Sequence, residues 1–316
     1  MQRTTIGSSN LQVAPLVFGA NVFGWTADER TSFSLLDSCV DLGVNFVDTA
    51  DSYSHWANGN QGGESETIIG KWFKQGGRRD KIVLATKVGM WKQRPGLSAA
   101  NIEAAVNDSL RRLQTDYIDV YFSHIDDDKT PFEETLGAYR KLVDAGKVRV
   151  IGASNFSGAR LEAALKVSKD LGLPAYQVLQ PEYNLYDRAG YESDLEPVAQ
   201  AHKLAVVTYF SLASGFLSGK YRPKADAANG ARGALVDKYI NARGLRIVDA
   251  LLEVAKRNDT TAATVALAWI IARPSVTAPI ASATSVAQLE SLAAATRLQL
   301  STEDLALLTE ASTAAG

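Results

Sequence analysis

One cysteine and three histidines in 316 residues are too few to staple a fold or to metallate one. Cys39 has no second thiol to pair with, and one Cys with three His offers no zinc-ligand spacing, so the chain is expected in a reducing compartment without a structural metal. No apolar run approaches membrane-spanning length, and the N-terminal MQRTTIGSSNLQV lacks a charged region leading into a long apolar stretch. These two absences predict a cytoplasmic protein with no membrane partner. Charge of neither sign is in excess: the formal net charge of -2 removes the electrostatic reason to expect nucleic acid or an anionic surface as partner. Also missing are a Gly-rich dinucleotide fingerprint after the first strand, an HExxH pair and a Gly-x-Ser-x-Gly elbow, while GGESETIIGKW has Gly and Lys without P-loop spacing. Small-molecule chemistry on a chain with 46% hydrophobic residues is what remains.

What is present is a repeated alternation. Short runs rich in Val, Ile and Phe occur at Leu16–Phe18, Val44–Asp48, Ile82–Lys87, Ile118–His124, Val148–Ser154, Val178–Gln180, Ala205–Tyr209 and Thr277–Ala281, and read as strands. Helical patterns lie between them, such as Ser98–Leu113 opening on a capping Ser, and Phe132–Ala145 stopping at Gly146. Eight alternations favour an α/β fold of the closed (β/α)8 TIM barrel type over an open sheet, as one domain across residues 1–316. Two segments fall outside the repeat: an N-terminal β-hairpin turning around Gly7–Asn10, and a long stretch from Ser211 to Arg243.

Reactive residues follow the strands. Asp48 and Tyr53 come after VNFV, Lys87 after KIVLAT and His124 after YIDVYFS, and barrel enzymes build their sites from the C-terminal ends of several strands. A phenol has a pKa near ~10, so Tyr53 needs roughly 4 kcal/mol of help from a cation to titrate near neutrality. Lys87 is the candidate cation, Asp48 the carboxylate that fixes it, and a neutral His124 the donor that orients a carbonyl oxygen. Each residue alone has a plainer reading as a packed aromatic, a solvated charge or a satisfied polar group, and Lys87 alone also suits a Schiff-base lyase. Asp126 to Asp128, ahead of Thr130 and Pro131, read as a turn rather than a metal site.

At these residues the chain resembles the aldo-keto reductase superfamily. The matching strings are VNFVDTADSY, ATKVG, YIDVYFSHIDDDKTPFEET, VIGASNFS, LQPEYNL and TYFSLASGFLSGKY, spread over nearly the whole chain. The resemblance implies an NAD(P)H-dependent carbonyl reductase in which Asp48, Tyr53, Lys87 and His124 form the catalytic tetrad and Tyr53 is the general acid. GLSAANIEAAVNDSLRRLQTDYIDV is similar to potassium channel beta subunits as well, but those vary at the His124 position, so an enzyme is expected.

The resemblance also implies a cofactor path. Ser154, Asn155 and Gln180 would clamp the nicotinamide carboxamide, and Tyr209 would stack on its ring. The alternatives from the residues themselves are a helix cap for Asn155, ahead of a helix over Phe156–Leu171, and a backbone-bonded buried amide for Gln180. Ser211, Leu212 and Ser214 would lie near the phosphates with Lys220, in a stretch whose Lys220, Arg222, Lys224, Arg232, Lys238 and Arg243 outnumber Asp226 and Asp237. Further contacts are implied at Gly19, Asn21, Ser282, Thr284 and Gln288. Neither Ser282 nor Thr284 is basic and Leu292 stands where relatives commonly carry Asn, so NADPH is preferred on the strength of Lys220 and a hydroxyl-lined helix start, with NADH possible. For the substrate, an aldehyde or ketone, the walls are expected from Phe23, Trp25, His55, Trp56, Met90 and Trp91, about half of them lining a pocket left open by the short tail to Gly316, while Trp72 and Trp269 are expected in the core.

Overall fold

The computed structural model of the chain describes residues 2–221 and 233–313. A two-stranded antiparallel hairpin, β1 (Thr4–Thr5) and β2 (Gln12–Val13), precedes a closed barrel of eight parallel strands. These are β3 (Val17–Gly19), β4 (Phe46–Asp48), β5 (Val83–Val88), β6 (Ile118–Ser123), β7 (Val148–Ser154), β8 (Val178–Gln180), β9 (Ala205–Thr208) and β10 (Ala278–Ala281). They pair in chain order and β10 closes on β3. The (β/α)8 expectation is met, and the barrel strands begin or end within two residues of the expected runs.

Strand alternation sorts the side chains into two cores. Val17, Phe46, Val83, Ala85, Val120, Phe122, Val150, Val178, Val207 and Ile280 fill the barrel interior, and Ile6, Leu11 and Val13 of the hairpin pack into the same cluster. The residues between them face outward onto the helices, as β-strand geometry requires. Asn45 links hairpin and barrel: its side-chain oxygen accepts from Ala14 N (2.8 Å) and its amide donates to Gln12 O (2.8 Å). Trp72 and Trp269 are fully buried, as expected.

The helices that matter to the site are α1 (Glu29–Leu42), α2 (Glu64–Lys74), α3 (Ala99–Leu113), α4 (Phe132–Asp144) and α5 (Gly158–Leu171). Ser98 caps α3 through the Asn101 amide, as its sequence predicts. The start of α5 differs from expectation. Ser157 is the cap, accepting from Arg160 N, so the helix opens two residues after Phe156 and Asn155 is free of capping. Among the described residues no helix is long and apolar enough to cross a membrane.

One close approach governs the barrel interior. A Cβ on Gly152 would lie 2.4 Å from the Phe122 ring, so the ring occupies space that only glycine leaves open. Phe122→Ala is therefore expected to lower the unfolding free energy by about 3–5 kcal/mol, read by denaturant titration, and a loss below about 1 kcal/mol would contradict this packing.

Candidate active site

The four reactive side chains meet at the C-terminal rim of the barrel. Lys87, in β5 and 0% exposed, donates to Asp48 Oδ2 at 2.6 Å, to Thr49 O at 2.7 Å and to the Tyr53 hydroxyl at 2.8 Å. Those three bonds use all three ammonium protons. A Schiff base needs a free, approachable amine, and this geometry gives Lys87 neither freedom nor access. Burial pulls the Lys87 pKa below its ordinary value, while Asp48, Asp51 and Glu66 pull it back up.

Tyr53 sits in the turn after β4, with its hydroxyl 3.3 Å from Asp48 Oδ2, a long and weak bond beside the 2.8 Å bond from Lys87. The phenol departs from the expectation that Lys87 would bring its pKa down. Burial first, then the Asp48 charge, hold it well above the usual value, because Asp48 neutralises the ammonium that was to act on the phenol. Tyr53 therefore keeps its proton at neutral pH.

His124, the first residue after β6, is buried with its ring edge-on to Tyr53 at 6.0 Å between centroids. Burial and then Lys87 push its pKa well below the ordinary range, so the imidazole is neutral. Its Nδ1 is buried with no hydrogen-bond partner. An unpartnered lone pair costs less than an unpartnered N–H, which assigns the ring proton to Nε2.

The neighbouring residues are tied to this cluster. Gln180 Nε2 donates to Asp48 Oδ1 at 2.9 Å, so its amide is bonded to the carboxylate of the site and not to backbone. Ser154 Oγ donates to Gln180 O at 2.9 Å. Asn155, in a left-handed conformation (φ 56°), donates to His124 O at 2.8 Å and accepts from the Tyr209 hydroxyl at 2.8 Å. A strained backbone that aims a side chain at three strand ends is a mark of a functional rim. Ser154, Gln180 and Tyr209 thus present amide-complementary groups and a ring beside Tyr53 and His124.

Past β9 the chain folds into a run of left-handed residues: Phe210 (φ 51°), Ala213 (48°), Ser214 (57°), Gly215 (97°) and Gly219 (81°). Ser211, Leu212 and Ser214 belong to this tight turn, in which Ala213 N donates to Phe210 O, Gly215 N to Leu212 O and Gly219 N to Phe216 O. Lys220 follows, packed against the Gly215 turn with its ammonium 4.9 Å from the Tyr221 ring centroid. Lys238 is engaged with Asp187 at 3.3 Å and Arg243 with the carbonyls of Tyr186 and Ser312. Arg222, Lys224, Asp226 and Arg232 lie outside the described residues.

A second group of expected contacts gathers on β3 and after β10. Ser282 Oγ donates to Asn21 Oδ1 at 2.6 Å, and a Cβ on Gly19 would stand 2.7 Å from that same Ser282 oxygen. The Thr284 hydroxyl and amide both donate to Gln288 Oε1, at 3.1 and 2.9 Å. Leu292 is buried in the helical core. Trp56, Met90, Ile125 and Phe210 are exposed on loops after four different strands, with Trp25 edge-on to Trp56 at 5.8 Å. Phe23, expected as a wall, is instead fully buried, and Trp91 latches its loop by donating to Gln61 O. Asp126 pairs with Arg160, and Asp127 accepts from Leu97 N and Thr130 Oγ1, which is the turn expected there.

Sequence reasoning missed the polar layer behind the tetrad. Glu66 of α2 accepts from Thr86 Oγ1 at 2.6 Å and from Arg112 Nε of α3 at 2.6 Å. The signal was a Glu and an Arg on otherwise apolar helix faces, beside Ile69 and Leu113.

The aldo/keto reductase family model matches residues 15–313. The chain is 36% identical to the uncharacterized oxidoreductase YrpG of Bacillus subtilis, over 98% of this chain and 95% of that protein. It is 36% identical to a probable voltage-gated potassium channel subunit beta of Oryza sativa, over 92% and 89%. It is 33% identical to the aldo-keto reductase yakc of Schizosaccharomyces pombe, named for NADP(+), over 87% and 80%. A match that runs from the first barrel strand to the last helix, with relatives aligned along most of their own length, places this chain in the aldo/keto reductase family.

Proposed function

We propose that this NAD(P)H-dependent oxidoreductase reduces an aldehyde or ketone with Tyr53 as the proton donor and NADPH as the preferred cofactor. The observation that carries the reading is the Lys87 ammonium bonded at 2.8 Å to a phenol oxygen that retains its proton. A reduced nicotinamide, when bound, would supply the hydride for the carbonyl carbon. The chain's own part concerns the oxygen, which His124 Nε2–H and the Tyr53 hydroxyl orient by hydrogen bonding. As charge grows on that oxygen, Tyr53 gives up its proton, and the Lys87 ammonium already in contact stabilises the phenolate left behind. The acid has to be stronger than the alcohol it forms, and contact with the Lys87 ammonium is what stabilises the phenolate for that transfer.

Ser154, Asn155 and Gln180 would hold the carboxamide and Tyr209 would stack on the ring. The turn at 210–219 would run beside the pyrophosphate, with Ser282, Thr284 and Gln288 toward the adenosine end. The apolar rim of Trp25, Trp56, Met90, Ile125 and Phe210 suits a substrate with a sizeable apolar body.

Tyr53→Phe is expected to lower turnover by about 10²- to 10⁴-fold while NADPH still binds, as read by nicotinamide absorbance and by fluorescence titration. The likeness to a channel subunit favours a second reading, as a binding module, under which the same variant would keep its function. Lys220→Ala is expected to cost about 1.5–3 kcal/mol of NADPH affinity and little of NADH affinity, and equal losses would remove Lys220 from 2'-phosphate recognition.

A further inference from the structure

The layer behind the tetrad contains one buried carboxyl without an ion-pair partner among the described residues. Asp48 is balanced by Lys87, Glu66 by Arg112 and Asp108 by Arg94, each pair in direct contact. Asp51, three residues after Asp48 and 1% exposed, is left over. Both of its carboxylate oxygens are buried with no hydrogen-bond partner, and so are the Tyr121 hydroxyl and Arg94 Nη1. A carboxyl in such a place is far cheaper to hold as a neutral acid than as an anion.

The groups that act on Asp51 come from every element around it. Burial and then Glu66 of α2 raise its pKa, while Arg112 of α3, the Ser52 backbone amide and Arg94 lower it, leaving it pushed up to about 7. Tyr121 of β6 and Tyr139 of α4 also interact with this carboxyl, and burial holds both phenols far above their usual range, so they stay neutral. On the reaction side, a negative Asp51 raises the pKa of both Tyr53 and Lys87.

We propose that Asp51 is a positioning residue that tunes proton donation by Tyr53: as a neutral acid it leaves Tyr53 free to give up its proton, and as an anion it opposes the phenolate that donation leaves behind. The inference rests on the donor role of Tyr53 given above. Reduction is then faster on the acid side of the Asp51 titration than on the alkaline side.

The test compares wild type with Asp51→Asn, which cannot lose a proton. With benzaldehyde and NADPH, wild-type kcat/KM is expected to fall about three- to tenfold between about pH 6 and about pH 8, and the Asn variant to stay level across that window. Coincident profiles would overturn the proposal. Denaturant unfolding gives a readout independent of turnover. A carboxyl whose folded pKa is raised contributes stability that is complete below the unfolded pKa near ~4 and is lost as pH rises to about 7. Wild type should therefore lose stability relative to Asp51→Asn across that interval, with no further change above it. A difference that does not vary with pH, or an Asn variant that cannot fold although it mimics the neutral acid, contradicts the inference. Tyr53→Phe run in parallel separates the two readings. Full activity there removes the proton-donor role and the tuning of it by Asp51, whereas an inactive Tyr53→Phe with a pH-invariant unfolding difference removes only the role of Asp51.

Discussion

The buried pair of Lys87 and Asp48 is the constraint around which the rim is built. Taking an ammonium and a carboxylate out of water costs several kcal/mol each, and close contact alone seldom repays it. The fold meets that cost with directed bonds: Lys87 has three acceptors, and Asp48 receives Lys87 and Tyr53 on one oxygen and Gln180 on the other. Removing either partner would strand the other as an unpaired buried charge. Those bonds fix the ends of β4, β5 and β8 relative to one another, which is how a charge pair becomes a spatial reference for the site.

The remaining strand ends are tied to the same reference. Asn155 joins the ends of β6, β7 and β9 through His124 O and the Tyr209 hydroxyl, at the cost of a left-handed backbone. The barrel supports this from below, with Phe122 filling the space over Gly152 so that β6 and β7 approach closely. Dry surroundings then decide the protonation states: a neutral His124, a protonated Tyr53 and a leftover Asp51 poised near neutrality. Chemistry follows from burial and pairing here more than from any single unusual residue.

Much of this was legible in the chain because parallel strands announce themselves locally. Apolar runs at regular intervals define the barrel, and Asp48, Lys87 and His124 at their ends point to one rim. What escaped were properties set by partners distant in sequence. Asn155 reads as a helix cap until Ser157 takes that role, and Gln180 reads as a backbone-bonded amide until Asp48, 132 residues away, is seen beside it. Phe23 looks like a pocket wall because loop aromatics do, yet it is fully buried. The direction of the Tyr53 shift is hidden from the sequence for the same reason: burial opposes ionisation, and the cation that would help is cancelled by its own counter-ion Asp48.

The most direct test of the organising role of Lys87 and Asp48 is a double-mutant cycle read by denaturant unfolding. Lys87→Met and Asp48→Asn should each destabilise the fold by about 3–5 kcal/mol, and the double variant should lose clearly less than the sum because no charge is left stranded. Additive losses would show that the two residues stabilise the barrel independently, and would contradict the account.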